Sequence, residues 1–171
     1  LLREQPNLMG RFIEEVLRFE APVQLNARWS FDEIEIGGFT IPAGRTVVTF
    51  LGGANRDPQR FPNPETFDIT RTDNQPLSFG FGIHHCLGAH LARAEGKAVF
   101  EALLDRFSVI EPTEIDPPWH GFTLRGLERL VHPLVGDGLV FLDAEAAHDG
   151  VEAFGGEDTQ QIVFEADVEF R

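Results

Sequence analysis

Phe79-Gly80-Phe81-Gly82-Ile83-His84-His85-Cys86-Leu87-Gly88 contains the only cysteine of the chain. Two glycines and two histidines lead into the thiol, and a helix-like run follows it. Glycines let the backbone approach a flat group closely and turn amide N–H groups toward the sulfur. A helix N-terminus adds positive potential, which favours thiolate over thiol. The pattern suits a thiolate metal ligand. Two other readings use the same residues. A free cysteine is often a small buried hydrophobe without chemistry. A zinc site built from His84, His85, Cys86 and His90 is the other, although closed structural sites usually carry more than one cysteine.

Working outward, Leu8, Phe12, Ile13, Val16 and Leu17 recur at helical spacing and predict a helix over Asn7–Phe19. Pro22 ends it, because the residue before proline avoids the helical region. Glu15 and Arg18 are three apart and share one face. Taken alone, such a pair reads as a surface ion pair of small energy. Val23–Arg28 reads as a short strand, and Glu33–Pro42 as a hairpin turning on Gly37-Gly38. Arg45–Leu51, rich in β-branched residues, reads as another strand. Four prolines interrupt Asn55–Pro76 and predict an ordered loop. Leu87–Phe107 reads as a long helix with a stripe of Leu87, Leu91, Ala94, Ala98, Ala102 and Leu103. Thr123–Leu134 alternates weakly and suggests a final strand pair.

The ten-residue string resembles the haem-binding loop of the cytochrome P-450 family, with Phe79, Gly82, His84, Cys86 and Gly88 filling the family pattern without a gap. Glu15-Val16-Leu17-Arg18 resembles the Glu-x-x-Arg of the family's K helix. Asn55-Arg56-Asp57-Pro58, Phe61-Pro62-Asn63-Pro64 and Phe67-Asp68-Ile69-Thr70-Arg71 resemble the meander that precedes the haem loop in bacterial members. The resemblance runs from about Leu1 to about Val135. It implies an α+β chain: the C-terminal part of the mainly α P-450 fold, with K helix, small β-sheet, meander, haem loop and long L helix.

The resemblance implies a role for each matching residue. Cys86 would be the axial ligand of haem b iron, a thiolate that pushes electron density onto the metal and favours O–O cleavage. The amides of residues 87 and 88 would hydrogen-bond the sulfur. Phe79 would pack on the proximal side of the macrocycle, and Gly82 and Gly88 would leave clearance for it. His84 and Arg28 would hold the haem propionates, since buried carboxylates need paired partners. Glu15 and Arg18 would form a buried network with a meander arginine, Arg71 ahead of Arg56. Some members carry that arginine where this chain has Thr66. Val23, Gln24 and Leu25, with Thr123 and Leu124, fall where the family lines its substrate pocket.

The implied reaction is insertion of one atom of O2 into a small organic substrate. The electrons would come from a ferredoxin or flavoprotein donor near Cys86. The family's oxygen-activating acid–threonine helix has no counterpart here, so the expectation is a C-terminal portion, inactive alone and exposing an apolar face. A non-catalytic haem-binding or partner-binding module is the alternative, and a zinc-binding structural domain a more distant one.

The net charge of −14 is unevenly spread. Residues 1–136 hold 18 acidic and 13 basic residues, and residues 137–171 hold 10 and 1. This balance argues against a nucleic-acid partner. It divides the chain into a family-like portion, 1–136, and an acidic extension, 137–171. In that extension Val140 and Leu142, then Ile162, Phe164 and Val168, suggest two short strands around Gly155-Gly156. The sequence has no apolar run of membrane-spanning length, and Leu1–Pro6 does not look like a signal peptide. One free thiol suits a reducing cytoplasm.

Overall fold

The computed structural model describes residues 1–110, 118–127, 129–135 and 160–165. The chain forms two compact units, residues 1–92 with 122–125, and residues 93–121 with 126–171.

In the first unit a 3₁₀ turn at Pro6–Leu8 leads into helix α1, Met9–Phe19. Proline suits the start of a helical turn because its φ is already fixed and its missing N–H is not needed there. The buried face of α1 carries Met9 and Ile13, and also Glu15 and Arg18. Strand β1, Leu25–Trp29, pairs antiparallel with β4, Thr46–Phe50, in the register Leu25↔Phe50 and Arg28↔Val47. Between them β2, Ile34–Ile36, and β3, Phe39–Ile41, form a hairpin. Its turn residues Gly37 and Gly38 have φ of +59° and +81°, which matches the twist of a two-residue hairpin. Buried Ser30 pins the hairpin's two ends. Its hydroxyl reaches the Pro42 carbonyl at 2.9 Å and takes the Arg45 amide at 3.0 Å.

The predicted strand at Arg45–Leu51 stops one residue short, and a four-residue helix α2, Leu51–Ala54, follows. A single turn has too little periodicity to show in sequence. Residues 55–88 contain no helix or strand except a 3₁₀ turn at Gly82–His84. The core of this unit gathers Leu8, Met9, Ile13, Ala21, Leu51, Phe61 and Ala89. Phe67 packs edge-on against both Phe19 and Phe12, at ring distances of 5.5 and 6.2 Å.

Helix α3, Ala89–Arg106, begins in the first unit and continues into the second. The second unit adds β5, Val109–Ile110; β6, Trp119–His120; β7, Gly126–Leu127; β8, Arg129–Val135; and β9, Gln160–Glu165. The predicted final pair over Thr123–Leu134 is corrected here. β7 and β8 do not pair with each other: β6 pairs with β7, while β8 lies between β5 and β9, all antiparallel. Ile162 and Phe164 lie in β9, opposite His132 and Leu130. Val140, Leu142, Gly155, Gly156 and Val168 lie outside the described residues. Along α3 the apolar stripe is exposed at Leu91, Ala94, Ala98 and Ala102, and only Leu103 is half-buried. No described helix is long and apolar enough to cross a membrane.

Candidate functional site: a thiol loop anchored on a buried ion-pair network

The loop is closed by its own main chain. The Cys86 amide donates to the Phe79 carbonyl at 2.9 Å, the Gly80 amide to Leu77 at 2.7 Å, and the His85 amide to Gly82 at 3.1 Å. Gly80 and Gly82 have φ of +70° and +67°, a region that a Cβ makes costly. At Gly82 a Cβ would meet no atom within 4 Å, so backbone conformation alone demands glycine there. At Gly88 a Cβ would lie an ordinary 3.9 Å from Cys86 Sγ.

The Cys86 thiol is exposed, which removes the reading of it as a buried hydrophobe. Beside it Phe81 is 85 % exposed, Ile83 98 %, and Leu87 fully so. An exposed thiol rimmed by exposed apolar side chains fits a flat apolar group held by one sulfur. His84 is an exposed imidazole in the same turn. Nδ1 of His85 faces the Gly80 carbonyl at 3.3 Å. Among the described residues no three His, Cys, Asp or Glu side chains are grouped to hold a metal ion. The four-ligand zinc arrangement therefore lacks its cluster.

The loop's support is the Glu15–Arg18 network. Arg18 uses all five guanidinium donors: Nε and Nη2 go to Glu15, Nη1 to the carbonyls of Asn55 and Pro64, and Nη2 also to Thr66. Both side chains are fully buried. Thr66 thus contributes its main-chain oxygen, a role independent of its side chain. Glu15 also accepts from the Asp68 amide at 2.7 Å and from Asn74 Nδ2 at 2.9 Å. Burial pushes the Glu15 pKa up. The Arg18 hydrogen bond, the Asp68 amide and the charges of Arg18 and Arg71 outweigh that and leave it lowered.

Of the two candidate meander arginines, Arg71 is the one on the network. Its Nε lies 3.4 Å from Glu15, and its Nη1 donates to Pro62 at 2.8 Å. Arg56 stands apart, stacked 3.8 Å over the Phe19 ring and bonded to the Phe19 carbonyl and to Glu65.

Arg28 lies on β1, exposed, with Nη1 on the Ala27 carbonyl at 2.8 Å. The candidate pocket residues come together by main chain. Val23 bridges Leu124, the Gln24 amide donates to the Thr123 carbonyl at 2.9 Å, and the Arg125 amide donates to the Pro22 carbonyl at 2.7 Å. Leu124 is exposed and Leu25 half-buried. The Gln24 side chain turns back onto the Ala21 carbonyl and against Gly52. Sequence reasoning passed over Asn55, Ser78 and Asn74. Asn55 and Ser78 are buried and hydrogen-bonded to each other. Asn55 carried a signal only as the first residue of the Asn55-Arg56-Asp57-Pro58 string, without a role of its own; Ser78 and Asn74 carried none.

This arrangement of K-type helix, meander and thiol loop defines a class. The Cytochrome P450 family model matches residues 3–129. The chain belongs to the cytochrome P450 family. It is 46 % identical over 132 residues to the biotin biosynthesis cytochrome P450 of Bacillus subtilis, covering 75 % of this chain and 33 % of that one. It is 46 % identical over 134 residues to the polyketide biosynthesis cytochrome P450 PksS of Bacillus subtilis, with coverage of 75 % and 33 %. Among solved structures it is similar to P450BioI in complex with an acyl carrier protein ligated to hexadec-9Z-enoic acid. That match has a TM-score of 0.72 at 45 % identity and covers 75 % of this chain and 33 % of that one. The chain spans about a third of the length of these relatives. The family implies haem iron.

Proposed function

We propose that this chain carries the cysteine-ligating part of a haem-thiolate monooxygenase, with Cys86 as the iron ligand. The observation that carries the reading is the exposed thiol in a glycine-built loop, rimmed by exposed apolar side chains and closed by the Cys86–Phe79 hydrogen bond. Haem, when bound, supplies the redox-active iron that activates O2. The chain's own residues hold and orient it. Cys86 would ligate the iron, His84 and Arg28 would hydrogen-bond the propionates, Phe79 would pack against the macrocycle, and Gly82 and Gly88 would leave clearance for it. The Glu15–Arg18–Arg71 network keeps the meander, and with it the loop, in place.

In the whole enzyme the substrate is a small organic molecule lying against Val23, Gln24, Leu25, Thr123 and Leu124. The electrons come from a ferredoxin or flavoprotein docking near the Cys86 loop, in the cytoplasm. Residues 137–171 are an acidic extension outside the family-like portion.

The test is haemin titration followed by a reduced, carbon-monoxide-bound difference spectrum. It compares this chain, its Cys86→Ser variant, and a chain extended upstream. A strongly red-shifted Soret band that Cys86→Ser abolishes is the expected result. A band that survives the substitution, or no haem uptake by any of the three, overturns the assignment. Thiolate-type uptake without substrate turnover by the extended chain favours a non-catalytic haem-binding module.

A further inference from the structure

We propose that Asn55, acting through Ser78, is a positioning residue for the Cys86 loop. The inference deepens the reading of Cys86 as the haem ligand and rests on it. Asn55 is fully buried, yet each of its side-chain atoms has a partner on the segment that opens the loop. Its Nδ2 donates to Ser78 Oγ at 2.9 Å, and its Oδ1 accepts the Leu77 amide at 2.7 Å. Ser78 Oγ in turn donates to the Leu17 carbonyl in the last turn of α1. The Asn55 carbonyl accepts Arg18 Nη1 at 3.0 Å. The next residue after Ser78 is Phe79, whose carbonyl takes the Cys86 amide.

A continuous hydrogen-bonded path therefore leads from the Glu15–Arg18 pair through Asn55 to the main chain on which Cys86 closes. The side-chain amide of Asn55 supplies both the donor and the acceptor that the path uses at this position. Farther along, the loop separates from the meander. A cleft of about 500 Å³ lies between Phe61 and Gln75 on one side and Gly80, Phe81 and His85 on the other. With open space there, the hold at Leu77 and Ser78 governs the direction in which the loop leaves the body of the unit. A small rotation at that base swings the thiol, eight residues on.

The test measures amide hydrogen exchange and haemin binding in the full chain and in Ser78→Ala, Asn55→Ala and the double variant. Ser78→Ala removes one oxygen and leaves the Leu77 bond intact, so it remains informative if Asn55→Ala does not fold. In Ser78→Ala, exchange over residues 77–86 is expected to rise about tenfold while residues 9–19 keep the parent rates. The double variant is expected to be no faster than the faster single variant. At equal haemin content, the thiolate-type fraction of the spectrum is expected to fall.

Loop amides at parent rates, or loop and α1 accelerating together, overturn the proposal, as does additive acceleration in the double variant. If the parent chain itself takes up haemin without a thiolate band, the ligand assignment fails. The exchange rates then still decide the positioning role.

Discussion

Arg18 holds both carboxylate oxygens of Glu15, at 2.9 and 2.8 Å, from three residues along the same helix, with both side chains out of contact with water. At the surface such a pair contributes little. Here it is the centre of a network that ties an 11-residue helix to a stretch of chain with no regular structure. Pro64, Thr66 and Asp68 carry no ladder partners, so their main-chain groups are satisfied by these two side chains instead.

Arg18→Ala leaves Glu15 buried without its bidentate partner and takes the guanidinium donors away from the carbonyls of Asn55, Pro64 and Thr66. A loss of about 3–5 kcal/mol of stability is expected, read from urea unfolding of the whole chain. Arg18→Lys is expected to restore only a minor part, because an ammonium has three donors and no fork. Full recovery by lysine would show that charge, rather than the bidentate geometry, holds the meander.

Acid is expected to unfold the first unit through its carboxylates. Glu15 titrates below its ordinary value for the reasons given above. Asp68 does so because the Thr70 hydroxyl and amide bond it, and Asp73 because Arg60 does. A depressed pKa in the folded state gives stability that is complete above the ordinary carboxylate range and is lost as pH falls through the folded value. The melting temperature should therefore decline on acidification below that range. Glu15→Gln should be less stable at neutral pH and show a flatter acid limb. An unchanged acid limb would remove Glu15 from the account.

Gly82→Ala and Gly88→Ala should separate conformation from contact. At Gly82 the added methyl meets open space, but φ is +67°, so a loss of about 1 kcal/mol is expected. At Gly88 the methyl makes an ordinary contact with Cys86 Sγ, and stability should stay within about 0.5 kcal/mol. Equal losses would mean that the loop strains at both glycines. Haemin binding by the two variants then reports, independently of stability, how much room the bound group needs.

Ile83 and Leu87 present apolar side chains to solvent at 98 % and 101 % exposure. Patches of this kind drive association or bind hydrophobic dyes. Ile83→Gln combined with Leu87→Gln should lower dye binding and self-association, with unfolding stability moved by no more than about 0.5 kcal/mol. A large drop in stability would reveal packing around these residues.

The thiol loop, the helix over Asn7–Phe19, the Gly37-Gly38 hairpin and the long helix before Phe107 were all legible in the sequence. Each rests on a short-range rule: a periodic apolar stripe, paired glycines at a turn, or proline where a helix cannot continue. Helix α2 was not legible, because four residues carry no period. The partners of β7 and β8 were not legible either. Their alternation is weak; β7 pairs with the two-residue strand β6 just before it, too short to carry a period, and β8 pairs with strands far along the chain on both sides.

By itself, then, the sequence determined the identity of the thiol loop and the elements on either side, since cysteine, glycine and proline act through their own local chemistry. Only the tertiary structure decided which arginine meets Glu15. Arg56 and Arg71 lie in similar polar segments, but the fold stacks one on Phe19 and brings the Nε of the other to 3.4 Å from the carboxylate. The tertiary structure alone also brought out Asn55 and Ser78. Their importance lies in burial and in partners 22 to 61 residues away. An asparagine in a polar loop gives no local sign that folding will close water off from it and leave its amide to find partners inside the protein.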